Sequence, residues 1–338
     1  TPASISLKSE VNSALNEATL ATEILHGVMK FRRFAGDYRE PCLAKPCADC
    51  LAPHLPKVIA SIQKNEPITF VLPAFPGKSP NLAKVLGPLP DMAERCSLEF
   101  LGTVCDRISV LYPPGARIIL CSDGRVFSDA VGMRDEDVTD YQRMLSRIIH
   151  ELGLDSISIF NLDEVYEELD FSEMRARLME NYGQPLSMVR DSIRQGSAEK
   201  SQPDLRELHR LYCGITRFLV DDATHPEQRQ TRSAIQKACR IRAYEVIQRS
   251  SAWSELIQDQ FPNAVRLSIH PQGCGSKKLG IFLVDGDNWM TPWHGVAVKI
   301  DGQFKLLKRW QAEAMGAQVV IVDERVSHYE IPGAQNEL

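Results

Sequence analysis

Four stretches of this 338-residue chain set groups that bind anions or move protons beside proline and glycine. The first, Ser122-Asp123-Gly124-Arg125, offers a carboxylate and a guanidinium directly after the apolar run at residues 118–121. The second, Phe75-Pro76-Gly77-Lys78-Ser79-Pro80-Asn81, offers an ammonium and a hydroxyl near backbone N–H groups, a combination that suits a phosphate. It lacks the spacing of a Walker loop. The third is His270-Pro271-Gln272-Gly273-Cys274-Gly275-Ser276-Lys277-Lys278, and the fourth is Trp289-Met290-Thr291-Pro292-Trp293-His294-Gly295. Imidazole titrates near neutrality and can shuttle protons. Trp293 offers a flat apolar wall, or a face for a cation or ring. Each stretch also has a plainer reading. Asp123 can simply cap the next segment. Lys78 can sit exposed on a rigid turn, which is the better reading of that loop by itself. A single histidine at a strand end is more often structural than catalytic, although two of them with Lys and Trp neighbours shift the balance.

Two further groups are weaker. Arg217 and Asp221 lie four apart in LYCGITRFLVDD, so one helix face can carry both, with a surface ion pair as the simpler reading. Cys42, Cys47 and Cys50 form C-x4-C-x2-C, with His54 four residues on as the nearest fourth ligand for a zinc ion. No second CxxC accompanies them. They read as buried or incidental thiols, and no metal is expected. The nine cysteines have no regular spacing, which argues for free thiols in a reducing compartment.

The elements that must position these groups alternate in type. Residues 7–33 carry a helical stripe through Leu7, Val11, Leu15, Ala18, Leu25, Val28 and Met29, and residues 54–64 carry another, with Pro56 tolerable in its first turn. Residues 68–72, 118–121 and 157–160 read as strands separated by helices. One of these opens on Asp91 with Glu94 three later, and another spans about 135–152. That order predicts a doubly wound parallel sheet, in which ligands sit beyond the carboxyl ends of the strands. No G-x-G-x-x-G follows any strand, so a dinucleotide is not expected. Residues 163–260 read as a helical segment. Strands return at 265–269, 280–284, 295–300, 304–308 and 319–322. The expectation is thus α/β: an N-terminal helical segment (1–65), an α/β core (66–162), a helical insertion (163–260) and strands completing the core (261–338), as one catalytic domain.

Composition narrows the class. The chain is 43% hydrophobic and 25% charged, as expected of a globular protein. A net charge of -5 gives no electrostatic case for nucleic acid. No apolar run is long enough to span a bilayer, and the N-terminus does not read as a signal peptide. A cytoplasmic location is therefore expected.

FVLPAFPGKSPN, VLGPLPDMAE, YPPGARIILCSDGRVFSD, RLSIHPQ and TPWHGVAVKIDG, in this order, resemble the pyoverdine/dityrosine biosynthesis family, the isonitrile synthases. The likeness covers most of residues 66–325. It implies a Rossmann-like α/β fold. It also implies conversion of an amino acid's α-amino group to an isonitrile, with the added carbon taken from C2 of ribulose 5-phosphate and no metal or redox cofactor. Tyrosine and tryptophan are the favoured substrates, and valine is used by some fungal members. Under that resemblance Asp123, His270 and His294 are the candidate acids and bases. Lys78, Ser79, Arg125, Arg217, Asp221, Lys277, Lys278 and Trp293 are the candidate substrate contacts. The only partners expected are these small molecules, and a downstream oxygenase would be a separate protein. Two other readings stay open: an N-formylating enzyme of the dityrosine type, and a non-catalytic sugar-phosphate-binding protein.

Overall fold

The computed structural model describes residues 2–286 and 290–333, and the side chains from residue 7 on. The first helical stripe forms α1 (Pro2–Met29). Its second half is core, with Ala21, Ile24, Leu25 and Val28 buried, whereas Leu7, Val11 and Leu15 project into solvent. Two short helices, α2 (Glu40–Ala44) and α3 (Ala48–Leu51), stand where a loop was expected. Helix α4 (Leu55–Gln63) follows, with Pro56 in its first turn.

Five strands form the central sheet: β1 (Ile68–Leu72), β2 (Ala116–Ser122), β3 (Ile157–Asn161), β4 (Val265–Ser268) and β5 (Leu279–Gly280). Their order is β3-β2-β1-β4-β5, and every pairing is parallel. Phe70 lies opposite Ile118 on one side and Val265 on the other. Side chains alternate across a strand, so each strand feeds two cores. Phe70, Leu72, Ile118 and Leu120 join the first core, with Leu25 of α1 and Val58 of α4. Helices α5 (Met92–Leu111) and α7 (Asp135–Glu151) contribute Leu101 and Leu145 to the same core. Val71, Ile119 and Cys121 face the second core. Its cover comes from α6 (Gly124–Val131), α8 (Phe171–Tyr182), α9 (Leu186–Gly196), α10 (Pro203–Ala223) and α11 (Arg232–Gln260). Asp91 and Glu94 form the expected capping box at the start of α5.

From β1 the chain moves outward through β2 and β3, and β4 and β5 then extend the other edge. The direction reverses between β1 and β4. A crevice opens at such a reversal beyond the carboxyl ends of the strands, and it is the usual ligand position in open α/β sheets.

The C-terminal strands do not all complete this core. The run at 280–284 contributes only the two-residue β5. The strands β6 (Val296–Ile300), β7 (Gln303–Leu307), β8 (Gln318–Val322) and β9 (Arg325–Glu330) form a separate mixed sheet of order β7-β6-β9-β8, with α12 (Arg309–Ala314) between β7 and β8. Strand β9 was not foreseen. Its sequence, RVSHYE, has no apolar run, and of its residues only His328 and Tyr329 are buried.

Candidate active site

The crevice between β1 and β4 leads into a cavity built from several strand ends. Pro76, Gly77 and Ser79 come from the loop after β1, Asp123 follows β2, and Ile269 and His270 follow β4. Trp293 and His294 enter from the segment before β6. The remaining wall is mostly apolar and helical, with Phe127 and Val131 of α6, Ile215, Phe218 and Leu219 of α10 and Val246 of α11, and its polar members are Asp222 of α10, Ser250 of α11 and Thr291. Among the described residues that line it, none carries an ammonium or guanidinium.

Asp123 is placed by a backbone constraint. A Cβ on Gly124 would lie 2.1 Å from the carbonyl oxygen of Pro76, so only glycine lets α6 start against the loop after β1. Asp123 sits at the N-cap position but makes no side-chain cap bond. Its buried Oδ1 has no hydrogen-bond partner among the described residues. Burial pushes this carboxyl up to about 7, against the pull of Arg266. Ser122 braces the neighbouring backbone by donating to the Phe75 carbonyl at 2.8 Å and accepting from Gln142 Nε2 at 2.6 Å.

His294 belongs to a polar cluster. Lys84 Nζ lies 2.6 Å from Asp222 Oδ1 and 2.9 Å from His294 Nδ1. Ser79 Oγ also donates to Asp222 Oδ1, at 2.6 Å. The imidazole stacks on Phe218 with ring centroids 4.8 Å apart. Burial and Lys84 lower the His294 pKa, with Asp222 opposing. For Asp222, burial works upward, but His294 and Lys84 outweigh it and hold the carboxylate ionised. An ammonium donating to Nδ1 leaves the ring proton of the neutral imidazole on Nε2.

His270 lines this first cavity and also a second one. The second is lined by four cations, Arg210 and Arg217 of α10 with Lys277 and Lys278, against the carboxylates Asp204 and Glu207, and Arg210 also pairs with Asp37 at 2.9 Å. Burial lowers the Lys278 ammonium to about 8, helped by Arg266 and opposed by Glu207. Burial, Lys278, Arg33 and Arg266 together drop His270 to about 3, so it is a neutral imidazole at pH 7.

Several expected contacts lie elsewhere. Lys78 is buried and spent on protein groups: its Nζ meets Glu94 at 2.5 Å, Asp91 at 3.2 Å and the Pro292 carbonyl at 3.0 Å. Burial works to lower its pKa, but the two carboxylates outweigh that and keep it protonated. It is held in a buried ion pair and lines neither of the two cavities. Arg125 points away from both cavities, stacked over Phe171 at 4.9 Å and 3.5 Å from Asp163. Asp221 is exposed, and what reaches the loop after β1 is its backbone carbonyl, which accepts from Asn81 Nδ2. Trp289 lies outside the described residues. Ser79, Asp123, His270, Trp293 and His294 do share one cavity, and Arg217, Lys277 and Lys278 share the adjoining one.

Lys84, Arg210, Phe218 and Asp222 escaped the sequence reading. Asp222 left a usable signal. It follows Ile215 and Leu219 at helical spacing, so a carboxylate lies on the buried face of α10. Lys84 left none, because its loop has no periodicity.

Residues 58–320 match the pattern of the pyoverdine/dityrosine biosynthesis protein family. The chain belongs to this family. It is 45% identical over 311 residues to L-tryptophan isonitrile synthase AmbI2 of Fischerella ambigua, covering 92% of this chain and 91% of that protein. It is 42% identical over 325 residues to the L-tyrosine isonitrile synthase of Pseudomonas aeruginosa, covering 94% and 96%. The crystal structure of the PvcA protein of Pseudomonas aeruginosa superposes with a TM-score of 0.84 at 42% identity, over 93% of this chain and 100% of that one. In this family member, then, the crevice of a parallel sheet brings the carboxyls of Asp123 and Asp222 and two neutral imidazoles to a largely apolar cavity, beside one that holds four cationic side chains.

Proposed function

We propose that the chain is an isonitrile synthase that acts on an aromatic L-amino acid and draws its carbon from C2 of ribulose 5-phosphate, without a redox cofactor. The observation that carries this reading is the adjacency of the two cavities across His270. An aromatic side chain fits among Phe127, Phe218 and Trp293. A phosphate suits Arg210, Lys277 and Lys278, which supply guanidinium and ammonium donors. The reacting amine and ketone then meet near His270.

The residues match the proton bookkeeping of the first step. The α-ammonium must lose a proton before its nitrogen can attack the C2 ketone. Asp123, titrating near 7, takes that proton at neutral pH. The nitrogen–carbon bond forms, and the former ketone oxygen leaves as water once it is protonated. Protonated Asp123 is the proton donor for that departure, and the Nε2–H of the neutral His294 ring hydrogen-bonds to the departing oxygen. The later carbon–carbon and phosphate-releasing cleavages draw on the same groups.

Incubation of the purified chain with ribulose 5-phosphate and L-tryptophan, L-tyrosine or L-valine tests the reading. An isonitrile infrared stretch with an aromatic amino acid is expected. An N-formyl product by mass spectrometry, or ribulose 5-phosphate binding without turnover of any of the three, would overturn it.

A further inference from the structure

Away from both cavities, the cysteines read above as incidental thiols converge. Cys42 lies on α2, Cys47 is the N-cap of α3, and Cys50 is on α3. Their three sulfurs lie within 4.8 Å of one another, and Cys47 Sγ to Cys50 Sγ is 3.6 Å. The fourth ligand missing from the sequence pattern arrives from far along the chain. Cys274 Sγ, in the loop between β4 and β5, lies at the edge of this group, beside Cys42 and Cys50 but not within 4.8 Å of all three sulfurs, and accepts from the Arg39 N–H that flanks the cluster. His54, the nearest candidate in sequence, is not part of the group.

The spacing has a physical meaning. All four cysteines are free thiols. A disulfide holds its sulfurs about 2 Å apart. A tetrahedral zinc with bonds of about 2.3 Å holds its sulfurs about 3.8 Å apart, close to the separation seen. Donors surround the sulfurs as well. The backbone N–H of Arg39 donates to Cys274 Sγ at 3.2 Å, Arg39 Nη2 donates to Cys47 Sγ at 3.2 Å, and Tyr38 Oη lies 3.1 Å from Cys50 Sγ. Such donors spread the negative charge of metal-bound thiolates.

We propose that Cys42, Cys47, Cys50 and Cys274 form a tetrathiolate site for one structural zinc ion, which clamps the N-terminal segment to the loop that carries His270 and Lys278. Four protein ligands leave no open position, so the ion is structural and takes no part in the chemistry. Binding releases the thiol protons to solvent. The clamp reinforces pairing already present: Ala35 N–H donates to the Gln272 carbonyl at 3.0 Å, and Arg33 N–H to the Gly280 carbonyl at 2.9 Å. The inference is independent of the reaction proposed above.

Elemental analysis of the purified full chain, followed by thermal melting before and after a strong chelator, tests it. About one zinc per chain is expected, with a fall in melting temperature of roughly 5–10 °C on removal, restored by Zn²⁺ but not by Mg²⁺. Cys274→Ser loses the zinc, whereas Cys96→Ser, at a cysteine outside the cluster, retains it. Should Cys274→Ser fail to fold, cobalt titration of the zinc-depleted parent chain decides, because tetrahedral thiolate coordination gives an intense sulfur-to-cobalt charge-transfer band. Absence of that band, together with no zinc in the purified chain and no thermal response to Zn²⁺, would overturn the site. Iron in its place would overturn the choice of ion.

Discussion

Asp123 is a carboxyl whose fold prefers it protonated. Its folded pKa, about 7, lies above the unfolded value near 4. Its contribution to stability is therefore fully present below about pH 4 and is lost as pH rises through 7. Asp123→Asn should abolish turnover, by about 100-fold or more, yet raise stability at pH 8 by about 1–3 kcal/mol. Thermal melts at pH 5 and pH 8 check the sign, because the gain should shrink at the lower pH. The two lysines separate in the same experiments. Lys78→Met strands Asp91 and Glu94 in the interior and should destabilise by about 3–5 kcal/mol. Lys278→Ala should leave melting nearly unchanged and raise KM for ribulose 5-phosphate by about 10–100-fold. Asp222→Asn weakens the hold on Lys84 and His294, and steady-state kinetics should show kcat falling about 10-fold or more with KM little altered.

At the scale of elements, the start of α6 is the tightest constraint on the site. Gly124→Ala must push α6 off Pro76 and should cost about 2 kcal/mol or more, with loss of activity. Gly27→Ala, inside α1 with nothing near its added methyl, should stabilise by about 0.5–1 kcal/mol in the same denaturation assay. The parallel core was legible because β1, β2 and β3 are short apolar runs between turn signals. Helix α6 was not, because the small and charged residues at 122–125 read as a turn, and its backbone is kinked at Phe127. The two short helices around the cysteines are too brief to leave a periodic signature. Lys78 misled for a related reason. Loop residues beside Pro and Gly look exposed in sequence, and the capping-box carboxylates of α5 together with the Pro292 carbonyl bury this one.

Across the whole molecule, the two sheets differ in how deeply they are held. Strands β1 and β2 lie between two hydrophobic cores, while β8 is a sheet edge with four of its five residues exposed. Native-state hydrogen exchange should find the amides of β1 and β2 opening only with global unfolding and those of β8 exchanging far sooner. Among the described residues no helix is long and apolar enough to cross a membrane. Most of the shared cavity was foreseeable from its strand ends, since those residues announce themselves by type. Its partition into an apolar and a cationic half was not, because that depends on which face α10 presents to each. The same partition has an evolutionary corollary. Under the proposed function the groups assigned to proton transfer, Asp123, His270 and His294, stand on loops anchored to the sheet, whereas Phe127, Ile215, Leu219 and Val246 hang from helices laid over it. Drift in those four positions can remodel the recognised side chain while the reacting atoms keep their surroundings, so one scaffold can diversify its products by changing upholstery and leaving the frame alone.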